Sequence, residues 1–376
     1  MAPESTTPGS TAAGGPASRL AGQRSNEDGV TTTPSSLAAR NPGPLGWLGD
    51  IGALYSRLGG PRTARQRITA QGIVYLMFVL TCIAFSIWAP DFATVATLQN
   101  IGRNAAPVVV ISVGMTFVII TAEIDLSVAS TVSLAGLLGA QVLSKHGVPW
   151  TLGLITSLGV GAGVGAFNGF LVGVLGVPSF LITLGTLEGI GAVALMVTGT
   201  LSVPITSPGF LSVFGPGSWH GLPLTVWWGI VVCVLAAYLL HGTRFGTWVR
   251  AVGDSRNAAR YAGISRARVL VAVFTLSGVL AAFTGVLLAG RTTSGDPTAG
   301  TDMELTAIAA VILGGTDLFG GSGTILGTVV GALFLTAIQV GLILMGASGQ
   351  LQTLVTGIII VSVVTINSLA RGLWKQ

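Results

Sequence analysis

Charge is scarce in this chain. Only 8% of its 376 residues are Asp, Glu, Lys or Arg, whereas soluble domains carry about 25%. Hydrophobic residues make up 51% of the chain. This composition excludes an ordinary soluble domain and predicts an all-α integral membrane protein, because helices satisfy their backbone hydrogen bonds without water.

Lysine is nearly absent, which bears on nucleotide chemistry. The two lysines stand in "LSKHG" and "LWKQ" (Lys145 and Lys375). Neither completes the G-x-x-x-x-G-K-[ST] loop, whose backbone amides and lysine hold phosphates. The chain is therefore no P-loop ATPase, and any coupling to ATP requires a separate subunit.

Residues typical of catalytic and metal sites are also few. Cys82 and Cys233 lie in apolar runs and form no disulfide or metal-binding pattern. None of His146, His220 and His241 stands in H-E-x-x-H or beside a G-x-S-x-G motif. We therefore expect no enzyme, no metal and no cofactor.

The first 60 residues differ from the rest of the chain. They are rich in Ser, Thr, Pro, Gly and Ala and poor in large apolar residues, so they bury too little surface to offset the entropy of ordering. They lack the short apolar run of a signal peptide. We expect residues 1–60 to form a disordered cytoplasmic tail and residues 70–371 to form the transmembrane domain.

Ten apolar runs are candidate membrane spans, since about 20 apolar residues cross a bilayer as a helix. Small residues recur in the fourth run ("GVGAGVGAFNGFLVGVLG", 159–176), where they permit close helix packing. The runs lie at 72–89, 105–122, 126–144, 150–176, 178–200, 224–241, 269–290, 303–315, 324–346 and 351–370.

Positive charge orients these spans. With both termini in the cytoplasm, twelve basic residues near span ends lie inside and three (Arg103, Lys145 and Arg291) lie outside. Cytoplasmic loops collect Lys and Arg in this way. Six of the twelve are arginines of "HGTRFGTWVRAVGDSRNAARYAGISRARV" (241–269). The net charge of +5 thus follows from membrane orientation, and no nucleic-acid partner is expected.

An internal repeat is visible. "IITAEIDLSVASTVSLAGLLGA" (119–140) aligns with "VILGGTDLFGGSGTILGTVVGA" (311–332) at an offset of 192, with seven identities in 22 positions that include Asp125 on Asp317. Repeated halves with interrupted helices are typical of transporters. If the two copies are six spans apart, they cross the membrane in the same direction and the repeat is parallel. If they are five spans apart, they cross in opposite directions and the repeat is inverted. The sequence leaves both possibilities open.

The acidic residues near the repeat lie between apolar runs, where a buried charge is costly. Either Asp125 and Asp317 cap helix N-termini, which we favour, or they line a polar pathway. A broken helix that ends in the pathway fits both interpretations. The candidate pathway residues are Glu123, Asp125, Ser127, Asn168, Thr316, Asp317 and Phe319.

The arginine-rich stretch predicts a short helix. "DSRNAARYAGI" offers Asp254 or Ser255 as the N-cap and Gly263 as the stop. One face suits a groove in another protein, whereas a juxtamembrane helix on anionic lipid is the alternative. That face carries Ala258, Tyr261 and Ala262.

Four stretches carry a more specific signal. They are "GMTFVIITAEIDLSVAS" (114–130), "VPSFLITLGTLEGIGAVALMVTGT" (177–200), "GTRFGTWVRAVGDSRNAARYAGI" (242–264) and "AIAAVILGGTDLFGGSGTILGTVVGAL" (307–333). Together, in this order, they resemble the permeases of ATP-binding cassette importers for monosaccharides of the ribose, xylose and galactose type. The related branched-chain amino-acid permeases match less well. The chain departs from the family pattern at Glu123 and Ala129, where Gly is common, and at Asp317, where Ser is common.

The resemblance implies a homodimeric permease of the bacterial plasma membrane, with two copies of a cytosolic ATPase and an extracytoplasmic sugar-binding protein as partners. The pathway is then expected at the homodimer axis or along the repeat interface. The resemblance also implies that residues 242–267 contact the ATPase. The candidate coupling residues are Arg244, Arg250, Asp254, Arg256, Ala258, Ala259, Arg260, Tyr261, Ala262 and Gly263.

Two alternatives stay open at this point. An ATP-binding cassette permease for another small polar solute, such as a branched-chain amino acid or a nucleoside, fits the same architecture. An ion-coupled secondary transporter needs titratable groups within the spans. The candidates for that role are Glu123, Asp125, Glu188 and Asp317.

Overall fold

The structure, a computed structural model, describes residues 64–145 and 147–372. The tail predicted at 1–60 lies outside these residues. Thirteen helices and four two-residue strands are found among the described residues. The helices are α1 (Ala64–Trp88), α2 (Val95–Ile120), α3 (Val128–Leu143), α4 (Trp150–Gly173), α5 (Ser179–Thr198), α6 (Pro208–Phe214), α7 (Leu224–Gly242), α8 (Arg244–Asp254), α9 (Arg256–Tyr261), α10 (Arg266–Thr292), α11 (Met303–Leu313), α12 (Ile325–Leu344) and α13 (Gly349–Gly372).

The strands form two small antiparallel pairs. β1 (Val203–Pro204) pairs with β4 (Ser294–Gly295), and β2 (Ser218–Trp219) pairs with β3 (Leu222–Pro223). Each strand has only two residues and lies in a connection between helices. All the long elements of the fold are therefore helices.

Each of the ten predicted runs contains a helix. Six helices are long and apolar enough to cross a membrane, namely α2, α4, α5, α7, α10 and α12, and shorter apolar helices lie in α1, α3 and α11. The prediction of a helical membrane protein is confirmed to this extent.

The start of α2 was predicted wrongly. The helix begins at Val95, ten residues before the predicted start at 105, and Thr94 caps it by accepting a hydrogen bond from the Thr97 N–H at 3.2 Å. The polar side chains of the first two turns, in "TLQNIGRN" (97–104), weaken the apolar signal on which the prediction depended.

The core lies around α2 and α10, and most residues in both helices are buried. Helix α4 packs against α10 through glycine. A Cβ added at Gly161 would overlap the carbonyl oxygen of Gly278, and one added at Gly165 would overlap that of Phe274. The two backbones therefore touch, which confirms that the small residues of this run serve helix packing.

The outer helices expose apolar side chains. Phe180 and Met196 on α5 and Leu235 and Tyr238 on α7 are all exposed. Such surfaces are costly in water but suit helices surrounded by hydrocarbon or by a second protein.

The repeat corresponds to two helix–loop–helix units. The first is α2, residues 121–127 and α3, and the second is α11, residues 314–324 and α12. We call residues 121–127 the first loop and residues 314–324 the second loop. The loops adjoin, since the Gly321 N–H donates to the Ile120 carbonyl at 2.8 Å.

The last residue of α2 and the second loop also touch the end of α8. Gly253 packs against Ile120, and Asp254 packs against Gly321. The loops therefore lie at the same end of the bundle, and α2 and α11 run toward that end. The two units of the repeat are thus parallel, which decides the question that the sequence left open.

Candidate functional site

A polar cluster joins the first loop to three helices. It is formed by the buried Asp125, Ser127, Asn168 and Ser277 and the half-buried Thr186. Asp125 is 1% exposed. Its Oδ1 accepts from the Ser127 N–H at 3.2 Å and hydroxyl at 2.6 Å, and its Oδ2 accepts from the Ser277 hydroxyl at 2.9 Å. Asn168 Nδ2 donates to Ser127 Oγ at 2.8 Å, and the Thr186 hydroxyl donates to Asn168 Oδ1 at 2.8 Å. The cluster thus ties the first loop to α4, α5 and α10.

The environment of Asp125 is that of a structural group. Burial raises the pKa of its carboxyl, and the hydrogen bonds from Ser127 and Ser277 act in the opposite direction. Asp125 is not the N-cap of α3, because Ser127 holds that position. It instead binds the Ser127 N–H from two positions upstream, as an Asx turn does.

The second loop repeats this turn. Asp317 Oδ1 accepts from the Phe319 N–H at 3.1 Å, and the N-cap of α12 is Thr324, so Asp317 is not a cap residue either. Thr316 is buried and Phe319 is exposed. The predicted pathway residues therefore divide into Glu123, Asp125, Ser127 and Asn168 around the first loop and Thr316, Asp317 and Phe319 in the second.

Glu123 forms an ion-pair bridge to the arginine-rich segment. Its Oε1 lies 2.7 Å from Arg266 Nη2 and 3.3 Å from Arg256 Nη2. The Glu123 side chain is 7% exposed, whereas that of Arg266 is 29% and that of Arg256 is 60% exposed. A nearly buried carboxylate thus holds two arginines at the end of the bundle that carries both loops.

The segment 242–267 contains two helices rather than one. The predicted short helix is present as α9, with Ser255 as the N-cap that accepts from the Ala258 N–H at 3.3 Å. Gly263 follows at φ 75°, a conformation that glycine adopts without steric cost. Helix α8 was not predicted, and its buried residues Val249 and Val252 seat it on the bundle.

Helix α9 presents one face outward. Tyr261 is 91% exposed, and Ala258 and Ala262 are exposed as well, whereas Ala259 is buried in the core. The surface available for docking is therefore formed by Ala258, Tyr261 and Ala262, and Ala259 anchors the helix. Arg244, Arg260 and Arg268 are also exposed.

A separate cavity of about 410 Å³ lies between α3, α5 and the segment before α11. None of the seven predicted pathway residues lines it. Of its polar lining the sequence had singled out only Glu188, as a titratable group of an ion-coupled transporter, because the contributing residues are distant in sequence and form no motif. The lining polar side chains are Ser130, Ser133, Glu188, Thr298, Thr301, Asp302 and Glu304.

Comparison with known proteins shows the family of the chain. Residues 97–364 match the family described as the permease component of the branched-chain amino acid transport system. The chain belongs to this permease family. With its apolar helices, the permease is therefore a multi-pass membrane protein.

The permease also resembles curated sugar permeases. It is 36% identical to the ribose import permease protein RbsC of Escherichia coli strain K12, over 78% of this chain and 92% of that protein. It is 35% identical to the fructose import permease protein FrcC of Rhizobium meliloti, over 79% and 84%. It is 34% identical to the L-arabinose ABC transporter permease protein AraH of Azospirillum brasilense, over 82% and 90%. No solved structure matches the permease significantly.

Proposed function

We propose that the permease is the membrane subunit of an ATP-binding cassette importer that moves a monosaccharide, a pentose or a hexose, into the cytoplasm. The observation that carries this proposal is the likeness, over most of the chain, to permeases named for ribose, fructose and L-arabinose. Ribose and arabinose are pentoses and fructose is a hexose. The names therefore support monosaccharides as the substrate class without selecting one sugar.

Membership of the family supports the following assembly. The permease crosses the bacterial plasma membrane ten times with both termini in the cytoplasm, and two copies form a homodimer. A separate ATPase subunit hydrolyses ATP, and an extracytoplasmic binding protein delivers the sugar. The excess of arginine at the end that carries both loops supports this orientation.

The segment 242–267 is the contact for the ATPase. Helix α9 offers two small residues and the exposed Tyr261, a shape that fits a groove. Movement of this segment reaches the first loop through the bond of Arg256 in α9 to Glu123 and the second loop through the contact of Asp254 in α8 with Gly321. One docking event thus acts on both loops of the repeat.

The two loops form the cytoplasmic end of the sugar pathway. Phe319 offers an exposed aromatic face, and Thr316 and Asp317 stand beside it in the second loop. Hydroxyl groups and an aromatic face suit a neutral sugar better than a pair of fixed ions does. The first loop, with Glu123, Asp125 and Ser127, lies beside the second loop. Asn168 on α4 bonds to Ser127 and holds the first loop in position.

Reconstituted transport tests the function. The permease is placed in proteoliposomes with its ATPase and binding protein, and uptake of radiolabelled ribose, fructose, arabinose, leucine and uridine is measured. We expect ATP-dependent uptake of one or more sugars. Uptake driven by a proton or sodium gradient without ATP would instead identify a secondary transporter, and uptake of leucine or uridine alone would identify another solute class.

Bulky substitutions test the docking face. Ala258→Trp and Ala262→Trp are expected to uncouple ATP hydrolysis from uptake, because added volume cannot enter a fitted groove. Val234→Trp on the exposed face of α7 is the control and is expected to stay coupled. Normal coupling in both alanine variants would place the ATPase contact elsewhere.

A further inference from the structure

The cavity between α3 and α5 contains a buried carboxylate with an unused acceptor. Glu304 lines the cavity and is 9% exposed, and its Oε2 has no hydrogen-bond partner within the described residues. A buried acceptor without a donor is costly. A ligand with hydroxyl donors would satisfy this atom.

The segment that precedes Glu304 is held against α3 by backbone contacts. Residues 296–302 form non-helical chain that lies directly on α3, where a Cβ added at Gly300 would overlap the carbonyl oxygen of Ala129. The Gly300 N–H donates to Ser133 Oγ at 2.9 Å, so the Ser133 hydroxyl keeps its own proton for another acceptor. The cavity therefore offers donors as well as acceptors.

The charge of the lining selects the ligand class. Glu188 and Asp302 are exposed at the rim, and neither forms an ion pair within the described residues. Three carboxylates repel an anion such as a sugar phosphate. No group of three or more His, Cys, Asp or Glu in the described part of the chain is arranged to hold a metal ion. A neutral molecule with several hydroxyl groups fits these conditions.

The rest of the lining is apolar. Leu187, Gly191, Leu195 and Pro297 supply C–H surface against which the ring of a sugar can pack. The volume of about 410 Å³ falls within the roughly 300–1,000 Å³ of small-molecule sites. Apolar walls with a few convergent polar groups are the usual composition of such sites.

Glu304 lies at the end of α11 that is farther from the second loop. Glu304 stands at the start of α11, ten residues before Gly314 in the second loop, which is about 15 Å at 1.5 Å per residue. Transporters commonly bind their solutes beside interrupted helices.

We propose that this cavity is a transit site for a neutral monosaccharide, with Glu304 as the buried hydrogen-bond acceptor and Glu188 and Asp302 as acceptors at the rim. This proposal rests on the proposed function. The sugar leaves the cavity toward the two loops, which lie at the far end of α11.

Cysteine labelling tests occupancy directly. Ala192 is exposed and lines the cavity, whereas Leu181 is exposed elsewhere on α5. In a background with Cys82→Ser and Cys233→Ser, purified permease in nanodiscs carrying Ala192→Cys is treated with a methanethiosulfonate reagent. Ribose, fructose or arabinose at millimolar concentration is expected to slow labelling at least severalfold, and Leu181→Cys is expected to label at an unchanged rate. Protection by Na⁺ or Mg²⁺ and not by sugar would overturn the proposal.

Transport by a charge variant completes the test. Glu304→Gln keeps the side-chain volume, and we expect uptake by the full transporter to fall about tenfold, because the acceptor loses the charge that strengthens its hydrogen bond to the sugar. ATP hydrolysis is expected to continue. Asp91→Asn, at an exposed carboxyl between α1 and α2, is the control with normal uptake.

Labelling and uptake together distinguish a failure of the cavity proposal from a failure of the proposed function. Wild-type sugar uptake together with unprotected Ala192→Cys and normal uptake by Glu304→Gln would overturn the cavity and leave the proposed function standing. Absence of sugar uptake by the wild type would contradict the proposed function, and the labelling of purified permease then decides the cavity by itself.

Discussion

The ion-pair bridge at Glu123 leads to a prediction with a definite size. In Glu123→Gln the side chain keeps an acceptor oxygen but loses the charge that faces Arg266 and Arg256. The bond to Arg266 is short, at 2.7 Å, and both partners are largely buried, at 7% and 29% exposed. A hydrogen bond of this kind contributes about 1.5–3 kcal/mol. The pair with Arg256, which is 60% exposed, contributes about 0–1 kcal/mol.

We therefore expect Glu123→Gln to lower the free energy of unfolding by about 2 kcal/mol, a factor of about 30 in the equilibrium constant. Arg266→Gln is expected to cost a similar amount and Arg256→Gln much less. Double-mutant cycles with each arginine isolate the two couplings. Arg260→Gln, an exposed arginine of the same short helix, serves as the matched control with no loss.

Denaturant unfolding of the permease in micelles, followed by tryptophan fluorescence, measures these differences. Coupling of Glu123 to Arg256 as large as its coupling to Arg266 would refute the burial argument. Equal stability of wild type and Glu123→Gln would refute the bridge itself. The same variant is also expected to raise ATP hydrolysis in the absence of sugar, because the first loop is no longer tied to α9.

Three further predictions concern packing and the polar cluster. Gly161→Ala is expected to destabilise the permease by about 1–3 kcal/mol, because the added Cβ would overlap the Gly278 carbonyl. The control is Gly163→Ala, whose Cβ would meet nothing within 4 Å and which is expected to be neutral or stabilising by up to about 1 kcal/mol. Equal melting temperatures of the two variants would contradict this prediction. Gly253→Ala is expected to separate α8 from the end of α2, measured as faster proteolysis of the 242–267 segment with the bundle intact. Asp125→Asn is expected to lower the unfolding free energy by about 1–3 kcal/mol and uptake only in proportion; lost uptake at full stability would instead give Asp125 a direct role in the pathway.

Periodic and compositional features were predictable from the sequence. The ten apolar runs each contain a helix, because hydrophobicity over about 20 residues is a strong signal. The short helix α9 was also predictable, since Ser255 and Gly263 mark its ends by local chemistry. Helix packing by glycine followed from the density of small residues in α4.

Contacts between distant segments were not predictable. Ser277 is 152 residues from Asp125, and a single serine in an apolar helix carries no sign of its partner. The bridge from Glu123 to Arg266 spans 143 residues, so the sequence presented Glu123 as a free acid. Glu304 was overlooked because its environment is created by chain folding onto α3, and no motif surrounds it.

The glycine contact between α4 and α10 limits which parts of the permease can move. Where two backbones touch, no side chain can change rotamer to absorb a shift, and sliding by one residue would drive carbonyl oxygens into α-carbons at successive crossings. We therefore expect α4 and α10 to travel as one rigid body during transport. Helix α5 packs mainly against α3, contacts this body only along α4, and exposes most of its length. It also forms one wall of the cavity, so opening and closing of that wall falls to α5.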